Sequence, residues 1–510
     1  MKKILSILLA ALMILSLVAC GGPTNEKNPD DTITLEWYYR GNGLQEDTQD
    51  VNDRVNELLH AVPGFEKINI HLNPYTASDY KNAVILAQSE NAQIDILSTV
   101  GLNWAQEVRN GTYISLSDYL ESDAYSALAN ELPDWLWDSM SLDGEVYMVP
   151  NYQRANTTPV LIFPKAYAEG LNLEVIKANI ADGWTTTELN NIMKSIVDNA
   201  RRISGKDTKY MLPVGWNPTS ATYPEYIEYL TSNSGVAIRE DGTTFENWFA
   251  NSDVKAIYAE AAQIKVDGYI HPETSVNISS LYNENMMKDD AIVAYITTGY
   301  GTMEQNEARV SATYGFDVVT ISLQENYFMP ANWGAGGNGI TTYCEHPEEA
   351  MKFLQLINTE AGAEIYNTIV YGLEGEHYTK NADGTIKTLE YDGSQGGATT
   401  SYAALKWIMG NTRYAWLNQG CDPFDVEIMD SVNNNPDNVK SPMIGFVFDT
   451  ADVENELSRV AAVIKEYNNT IRFGMAGANF ENIYNEFLSK LEAAGIGEII
   501  AEGNAQFSAK

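Results

Sequence analysis

The chain has 510 residues and a hydrophobic fraction of 44%, which is enough for a large core spread over two or more domains. Its 69 acidic residues outnumber its 32 basic residues, and the resulting net charge of −37 repels nucleic acid and anionic lipid surfaces. Three cysteines are too few for a disulfide framework, and the scattered histidines form no metal or nucleotide motif, so the sequence predicts no metal and no cofactor.

The first 20 residues have the three parts of a secretory signal peptide. Two lysines precede an apolar run at 4–18, which is shorter than the roughly 20 residues of a membrane span, and Ala19 and Cys20 follow. This ending resembles a bacterial lipobox, which implies cleavage before Cys20, a lipid on its thiol and acylation of the new N-terminus. We predict a signal peptide at 1–19 and a lipidated, flexible tether at 20–32. The alternative is an ordinary signal peptide with a chance cysteine.

Alternating and amphipathic segments between 33 and 97 predict a β-α-β-α-β unit. Apolar residues alternate at 33–37 and 68–72, and Asp47 is positioned to cap the helix between them. Such units form parallel sheets, and ligands bind beyond the carboxyl ends of parallel strands. The pattern therefore predicts ligand contacts from two loops, at 39–43 and 98–104.

The rest of the chain alternates between predicted strands and helices, with no internal repeat. The polar segment 150–158 lacks a helical pattern and is a candidate crossing between lobes. A helix is predicted for 224–232, and closing helices are predicted for 453–467 and 480–494. A glycine-rich stretch at 332–340 leads into another strand.

Several motifs together resemble the extracellular solute-binding lipoproteins of bacterial ABC importers, in the maltodextrin-binding-like family 1. The lipobox, the early β-α-β-α-β unit and the run 339–353 carry the resemblance. The segments 37–43, 371–378 and 491–496 are similar to a Gram-positive subgroup that has its own C-terminal extension. That subgroup often has lysine where this chain has Glu46, so the role of this position stays open.

The resemblance implies an α/β, periplasmic-binding-protein-like fold of type II, with two lobes, a hinge and a ligand cleft at their interface. The implied first lobe comprises 33–150 and 319–378. The implied second lobe comprises 151–318 and is completed, with a C-terminal helical extension, by 379–510.

The function implied by the resemblance is binding without catalysis. A lipid-anchored monomer on the extracellular face of a Gram-positive type cell membrane captures an oligosaccharide, closes around it and presents it to an ABC permease. Nucleic acid is not among its implied partners, and no residue is assigned a catalytic role.

Candidate ligand-binding residues are aromatic, amide and charged side chains at strand ends, crossings and late helices, because sugars offer apolar faces to rings and hydroxyls to polar groups. They are Tyr39, Arg40, Asn42, Asn103, Trp104, Tyr152, Gln153, Trp216, Trp333, Trp407, Arg413 and Trp416. Packing is the alternative for Trp104 and Trp333. The alternative for Tyr39, Arg40 and Asn42 is a capped turn with a surface arginine, and the alternative at the crossing is a hinge ion pair of Arg154. Trp407 and Trp416 would point to opposite sides of one helix unless Gly410 breaks it. The tryptophans predicted to be core are Trp37, Trp135, Trp137, Trp184 and Trp248.

Two other functions remain as alternatives. A peptide or another small polar ligand would need a compensating charge cluster, which Arg40, Arg154 and Arg413 are able to supply. A surface glycosidase would need two paired carboxylates. Besides Cys20 there are two cysteines, Cys344 and Cys421, for which two free thiols are favoured over one bridge.

Overall fold

The computed structural model describes most of the chain beyond the tether. The described residues are 32–154, 158–181, 184–214, 226–239, 241–274, 287, 291–299, 303–323, 328–329, 336–389, 401–419 and 425–509. The predicted signal peptide and Cys20 lie outside them. Within these ranges, no helix has the length and apolar character needed to cross a membrane.

Strands and helices alternate along the described chain. The strands are β1 Ile33–Arg40, β2 Ile68–Tyr75, β3 Ile96–Ser98, β4 Ser141–Leu142, β5 Glu145–Val146, β6 Val149–Pro150, β7 Thr158–Pro164, β8 Tyr210–Met211, β9 Tyr226–Tyr229, β10 Val236–Arg239, β11 Phe245–Asn247, β12 Ile292–Gly299, β13 Val318–Ser322, β14 Phe328–Met329, β15 Gly337–Ile340, β16 Tyr378–Lys380, β17 Ile386–Thr388 and β18 Val439–Lys440. The helices are α1 Thr48–His60, α2 Tyr80–Ser89, α3 Trp104–Arg109, α4 Ser117–Glu121, α5 Ser126–Glu131, α6 Asp134–Asp138, α7 Leu173–Ala181, α8 Thr186–Ser204, α9 Ser252–Val266, α10 Met303–Tyr314, α11 Pro347–Ile357, α12 Ala363–Tyr371, α13 Lys406–Met409, α14 Val426–Asn433, α15 Glu454–Arg472, α16 Phe480–Ala494 and α17 Ile496–Ser508.

The first lobe is built on a five-stranded sheet in the order β2-β1-β3-β15-β6. β1 runs parallel to β2 and β3, while β15 runs antiparallel to β3 and β6. Leu35, Trp37 and Tyr39 alternate along β1 and are buried on one face, which the spacing of Leu35 and Trp37 predicts. The indole N–H of Trp37 donates to the side-chain oxygen of Asn338 at 3.0 Å, which ties the first strand to the returning strand β15.

The second lobe contains a four-stranded sheet in the order β13-β7-β12-β8. Every residue of β7 is buried, which fits its nearly continuous apolar sequence and its position inside the sheet. α8 packs against β12 and β8. This helix begins with a capping box between Thr185 and Glu188 and ends at Gly205 in the left-handed conformation. The two sheets confirm the predicted two-lobed α/β fold.

The C-terminal unit, defined here as residues 441–509, adds α15, α16 and α17 to the antiparallel sheet β11-β10-β9. Their shared core includes Trp248, Tyr258 and Phe487. The last helix, α17, follows the two helices that the sequence predicts. Its two glycines weaken the helical pattern. The second of them, Gly503, lies so close to Leu230 that a Cβ there would come within 2.7 Å of a methyl carbon.

The chain passes between the lobes three times: between β6 and β7, between β13 and β15, and between α14 and the C-terminal unit. On the second and third passages, β14 and β18 pair in parallel. This pairing joins two passages that are more than a hundred residues apart in sequence.

Two predicted lobe boundaries are wrong. β13 pairs with β7 over its whole length, so the second lobe extends beyond 318 and the first lobe does not resume at 319. The segments 401–419 and 425–433 contribute Tyr402, Met409 and Met429 to the first-lobe core, so the second lobe does not resume at 379. Both boundaries depend on contacts between distant segments, which local sequence patterns do not contain.

The predicted helix at 224–232 is also wrong. Residues 226–229 form β9, which pairs antiparallel with β10. Asn233 and Gly235 between these strands have φ angles of 62° and 64°, a left-handed backbone that suits a tight turn. The turn lets β9 and β10 pair with each other, and this pairing takes the place of the predicted helix.

Asp47 does not cap α1, although the helix begins at the next residue. Its carboxylate instead accepts a hydrogen bond from the Ser401 hydroxyl and another, at 3.1 Å, from Nε2 of His377. The His377 side chain is completely buried, and its Nδ1 accepts from the backbone N–H of Leu373 at 2.8 Å. Asp47 therefore connects α1 to two later segments of the first lobe.

Candidate functional site

A cavity of about 1090 Å³ lies between the two lobes. Its walls come from four places: the loop after β3 with the start of α3, the turn between α6 and β4, the first crossing with α13, and the C-terminal unit with the β9–β10 turn. The lining residues include Asn103, Trp104, Asp138, Gln153, Arg154, Gly336, Trp407 and Phe446. Residues from both lobes therefore face one shared space.

The first-lobe wall follows the carboxyl end of β3, as the strand-end rule predicts. Asn103 caps α3 by accepting from the backbone N–H of Gln106 at 3.4 Å, and Trp104 is the first residue of that helix. The ring of Trp104 is half-buried, so part of it remains open to the cavity. Of the two predicted loops, this one lines the space between the lobes.

The floor of the cavity is formed where the chain first crosses between lobes. Gln153 and Arg154 lie there, and Arg154 is 8% exposed and donates to the carbonyl of Gly299 at 3.1 Å. Gly336 lies so close to Asn151 that a Cβ would come within 3.3 Å of the Asn151 amide nitrogen. Glycine therefore permits the close approach of two crossing segments beneath the ligand space.

Trp407 completes the floor from the short helix α13. The side-chain amide of Asn151 donates to the carbonyl of Ile408 at 2.9 Å, and that of Asn338 donates to the same carbonyl at 3.0 Å. These bonds hold α13 against the first crossing and β15. They fix the backbone that carries the half-buried Trp407 ring.

The second-lobe wall consists of Leu230, Thr231 and Ser232 after β9, together with part of the C-terminal unit. The residues from the C-terminal unit are Met443, Gly445, Phe446, Val447, Phe448, Thr450 and Leu457. This wall is mostly apolar and faces the polar and aromatic first-lobe wall.

An ion pair connects the lobes beside the cavity. Nε of Arg109, at the end of α3, lies 3.2 Å from a carboxylate oxygen of Asp449 in the C-terminal unit. Both side chains are partly exposed. The pair joins the helix that carries Trp104 to the segment that carries Phe446.

The three candidates at the carboxyl end of β1 do not line the cavity. Tyr39 is 1% exposed, and its ring packs 5.4 Å from that of Trp37 in the first-lobe core. Its predicted cleft contact is wrong, because alternation along β1 turns it inward. Asn42 is exposed and donates to the carbonyl of Ala403 at 2.9 Å. Arg40 is half-buried beside Gly101, a residue of the cavity wall.

Tyr152 and Arg413 belong to a partly buried network instead of the cavity wall. The Tyr152 hydroxyl donates to Asp430 at 2.5 Å, and Arg413 donates to the same carboxylate oxygen at 3.0 Å. The Arg413 guanidinium lies 4.8 Å from the centre of the Tyr152 ring and 3.8 Å from Glu131. Burial, followed by the bond to Asp430, raises the pKa of Tyr152 to about 12. Both predicted ligand contacts are therefore replaced by contacts within the first lobe.

Trp416 lies outside the cavity wall. Its ring stacks on Tyr371 at 6.2 Å, and the Lys380 ammonium lies 4.0 Å from its centre. Gly410 does end α13, with φ of 156°, yet only Trp407 faces the ligand space. Trp416 instead attaches the β16–β17 hairpin to α12.

The remaining predicted aromatic and cysteine positions divide into three groups. Trp216, Trp333 and Cys421 lie outside the described residues. Trp37 and Trp248 are buried as predicted. Trp135, Trp137 and Trp184 are partly buried and pack against the cores. Cys344 is a free thiol, as favoured, and burial, with Asp95 beside it, raises its pKa.

No cluster of potential metal ligands occurs among the residues that the structure describes. Glu46, the open position of the first loop, is exposed and does not line the cavity. Asp138 is the single carboxylate in the described lining.

Comparisons with known proteins agree with this architecture. A Streptococcus pneumoniae serotype 4 protein named as a carbohydrate ABC transporter substrate-binding protein is 26% identical over 498 residues, covering 94% of this chain and 92% of that protein. The polygalacturonan/rhamnogalacturonan-binding protein YtcQ of Bacillus subtilis is 19% identical over 71% of this chain and 70% of its own length.

The crystal structure of the N-glycan transport solute binding protein NgtS from Streptococcus pneumoniae superposes with a TM-score of 0.72 at 17% identity, covering 94% of this chain and 99% of that one. A family model described as a domain of unknown function, DUF3502, matches residues 442–509.

The chain has the two-lobed fold of the solute-binding proteins to which it is similar. The cavity between the lobes occupies the position that the sequence resemblance assigns to the ligand cleft.

Sequence reasoning missed the second-lobe wall of the cavity. Aromatic residues at 446 and 448, placed in a segment without helical periodicity just before a closing helix, were the available signal. Their proximity to Trp104 depends on how the C-terminal unit packs on β9–β11, and the sequence contains no local sign of that packing.

Proposed function

We propose that this protein captures an oligosaccharide between its lobes and presents it to the permease of an ABC importer, while a lipid on Cys20 holds it at the outer face of the cell membrane. The observation that carries the proposal is the cavity lined by both lobes. A ligand that contacts both walls stabilises the closed arrangement relative to the open one, by the difference between its interaction free energies with the two arrangements.

The size and chemistry of the cavity support an oligosaccharide. Its volume of about 1090 Å³ is at the upper end of the roughly 300–1,000 Å³ that is typical of small-molecule sites. Trp104 and Trp407 offer ring faces to the apolar faces of sugars, and Asn103 and Gln153 offer donors and acceptors to hydroxyls. The names of the Streptococcus and Bacillus relatives refer to carbohydrate and polysaccharide ligands.

The two alternative functions have less support from the described residues. A charged ligand would need the cluster of Arg40, Arg154 and Arg413, but Arg413 is already paired with Asp430 and does not line the cavity. A glycosidase would need two carboxyl groups on either side of the bond. Neither alternative has a specific observation in its favour.

The anchor and tether fit the same function. A diacylglyceryl-type anchor with two or more chains is sufficient for stable attachment, whereas one short chain is not. A polar tether at 20–32 would keep the loaded protein near its permease and raise the effective concentration of the encounter. A monomer is sufficient for this role, since the tether alone keeps it near the permease.

Isothermal titration of the mature protein tests the proposed function. The ligands are maltodextrins, oligogalacturonides and an N-glycan digest, and a peptide mixture serves as the comparison. We expect saturable binding of a glycan that is recovered intact by mass spectrometry. Hydrolysed glycan would refute binding without catalysis. Heat of binding with the peptide mixture, but with none of the glycans, would support the charged-ligand alternative instead.

A further inference from the structure

The second-lobe wall of the cavity comes largely from a part of the chain whose family model has no assigned function. The match covers 442–509. The residues of its first segment that line the cavity are Met443, Gly445, Phe446, Val447, Phe448 and Thr450. This segment follows β18 and precedes α15, so it joins the last crossing to the C-terminal helices.

Hydrogen bonds hold this segment in place. The backbone N–H of Asp449 donates to the side-chain oxygen of Gln506 at 2.7 Å, and the Gln506 amide donates back to the Asp449 carbonyl at 2.9 Å. The N–H of Phe446 donates to the carbonyl of Met443 at 2.7 Å, which closes a turn. The segment is therefore fixed to α17 and folded back on itself.

Phe446 is the aromatic residue of this wall that keeps part of its surface open. Its ring packs edge-on against Phe507 at 5.1 Å and lies 6.1 Å from Phe245, so the C-terminal core supports it from behind. It remains half-buried, whereas Phe448 is 7% exposed. Beside it, no atom lies within 4 Å of the position that a Cβ of Gly445 would take, so the cavity is open at this point.

A supported ring with an open side is suited to stacking on the apolar face of a sugar, because its conformation is fixed before the ligand arrives. Trp104 supplies a comparable half-buried ring from the first lobe. A glycan that fills the space between the two walls would then contact a ring from each lobe.

We propose that the C-terminal unit is the ligand-recognition wall of the second lobe, in which Phe446 stacks on a sugar ring and the segment 443–450 selects among glycans. This inference rests on the proposed function, because it assumes that the cavity holds a glycan. It assigns a role to the region that matches the family of unknown function.

Three variants test the inference in the full mature chain. Phe446→Leu removes the ring while keeping an apolar side chain, and Phe446→Tyr keeps the ring. Phe487→Leu is the matched control, because Phe487 is buried in the same core and does not line the cavity. Each is titrated with maltodextrins, oligogalacturonides and an N-glycan digest, and each is also melted to check folding.

We expect Phe446→Leu to weaken binding of the preferred glycan by about 3- to 10-fold, and Phe446→Tyr to stay within about 2-fold of the wild type. Phe487→Leu should lower the melting temperature and leave affinity unchanged. If Phe446→Leu does not fold, Val447→Ala replaces it. That variant alters the same wall without removing a ring from the core, and it should change the order in which the glycans bind.

Two results would overturn the inference, and they differ in what they imply for the proposed function. A wild type that binds a glycan, with Phe446→Leu or its replacement showing the same affinities and the same glycan order, would exclude the C-terminal unit as the recognition wall while leaving the proposed function in place. A wild type that binds none of the glycans would overturn the proposed function and the inference together.

Discussion

Trp407 and Trp416 are nine residues apart and have opposite surroundings. Trp407 lines the cavity between the lobes, and Trp416 stacks on Tyr371 under the Lys380 ammonium. Both are half-buried, so exposure alone does not separate them. At the residue scale, the identity of the neighbours decides which ring is available to a ligand.

Trp407→Ala is expected to weaken glycan binding by about 1–3 kcal/mol, the scale of losing a partly buried aromatic contact. Trp416→Ala is the matched control, because it removes a ring of the same size outside the cavity. Titration calorimetry with the glycan bound by the wild type measures both. Equal losses of affinity in the two variants would contradict the assignment of Trp407 to the ligand floor.

Asp47→Asn is expected to destabilise the protein at pH 7 by about 1 kcal/mol, because a charged acceptor strengthens the bonds from Ser401 and His377. The Ser401 bond is the main cause of the lowered pKa of Asp47. A carboxyl group whose pKa is lowered by folding stabilises the protein above its unfolded pKa, and this contribution is lost as the pH falls through the folded value.

The gap in melting temperature between wild type and Asp47→Asn should therefore be largest at neutral pH and should shrink below about pH 4. Asp50→Asn is the control, since Asp50 is exposed in the first turn of the same helix. A gap that stays constant from pH 7 to pH 3 would show that ionisation of Asp47 is not its cause.

At the scale of elements, α3 has two roles in the cleft. Its first residue, Trp104, faces the cavity, and its last residue, Arg109, pairs with Asp449 across the lobe interface. Asp449 is itself held to α17 by Gln506. A short helix therefore couples the ligand wall of the first lobe to the C-terminal unit.

Arg109→Gln is expected to favour the open arrangement of the ligand-free protein and to weaken glycan binding by no more than about fivefold, because a partly exposed ion pair is worth only about 0.2–1 kcal/mol. Small-angle scattering without ligand measures the opening as a larger radius of gyration. Arg54→Gln is the control, since Arg54 pairs with Glu57 within α1.

Salt provides a second check on the Arg109–Asp449 pair. Because mobile ions screen exposed charges, the difference between wild type and Arg109→Gln should decrease at about 1 M salt. Identical scattering of the two proteins at low salt would mean that the pair does not influence closure.

At the scale of the whole molecule, the hinge is made of three passages between lobes, two of which pair through β14 and β18. The cavity lies beside the first passage, at Gln153 and Arg154. A ligand at this place contacts both lobes close to the hinge, so modest rotation is sufficient to change its contacts.

Cys20→Ala is expected to release the protein into the medium while leaving its glycan affinity unchanged, because the proposed lipid anchor and the cleft are in separate parts of the chain. Fractionation of cells into membrane and medium, followed by titration of the released protein, measures both properties. Retention of the variant in the membrane fraction would contradict the lipobox prediction.

The sequence by itself determined the early strands and helices, the two-lobed fold and the loop after β3. These features depend on local periodicity, on strand ends and on a resemblance carried by several motifs. The inward positions of Trp37 and Trp248 were predictable for the same reason. Arg413 was ambiguous from the beginning, because a cation near a cleft pairs equally well with a ligand or with a carboxylate such as Asp430.

Only the tertiary structure decided where the lobes divide and which side chains meet in the cavity. The pairing of β13 with β7 and the packing of 401–419 and 425–433 on the first lobe join residues that are far apart in sequence. Tyr39 turns into the core, Trp407 faces the ligand space, and Phe446 reaches it from the last part of the chain. The physical reason is that burial of apolar surface is non-directional and does not depend on separation along the chain.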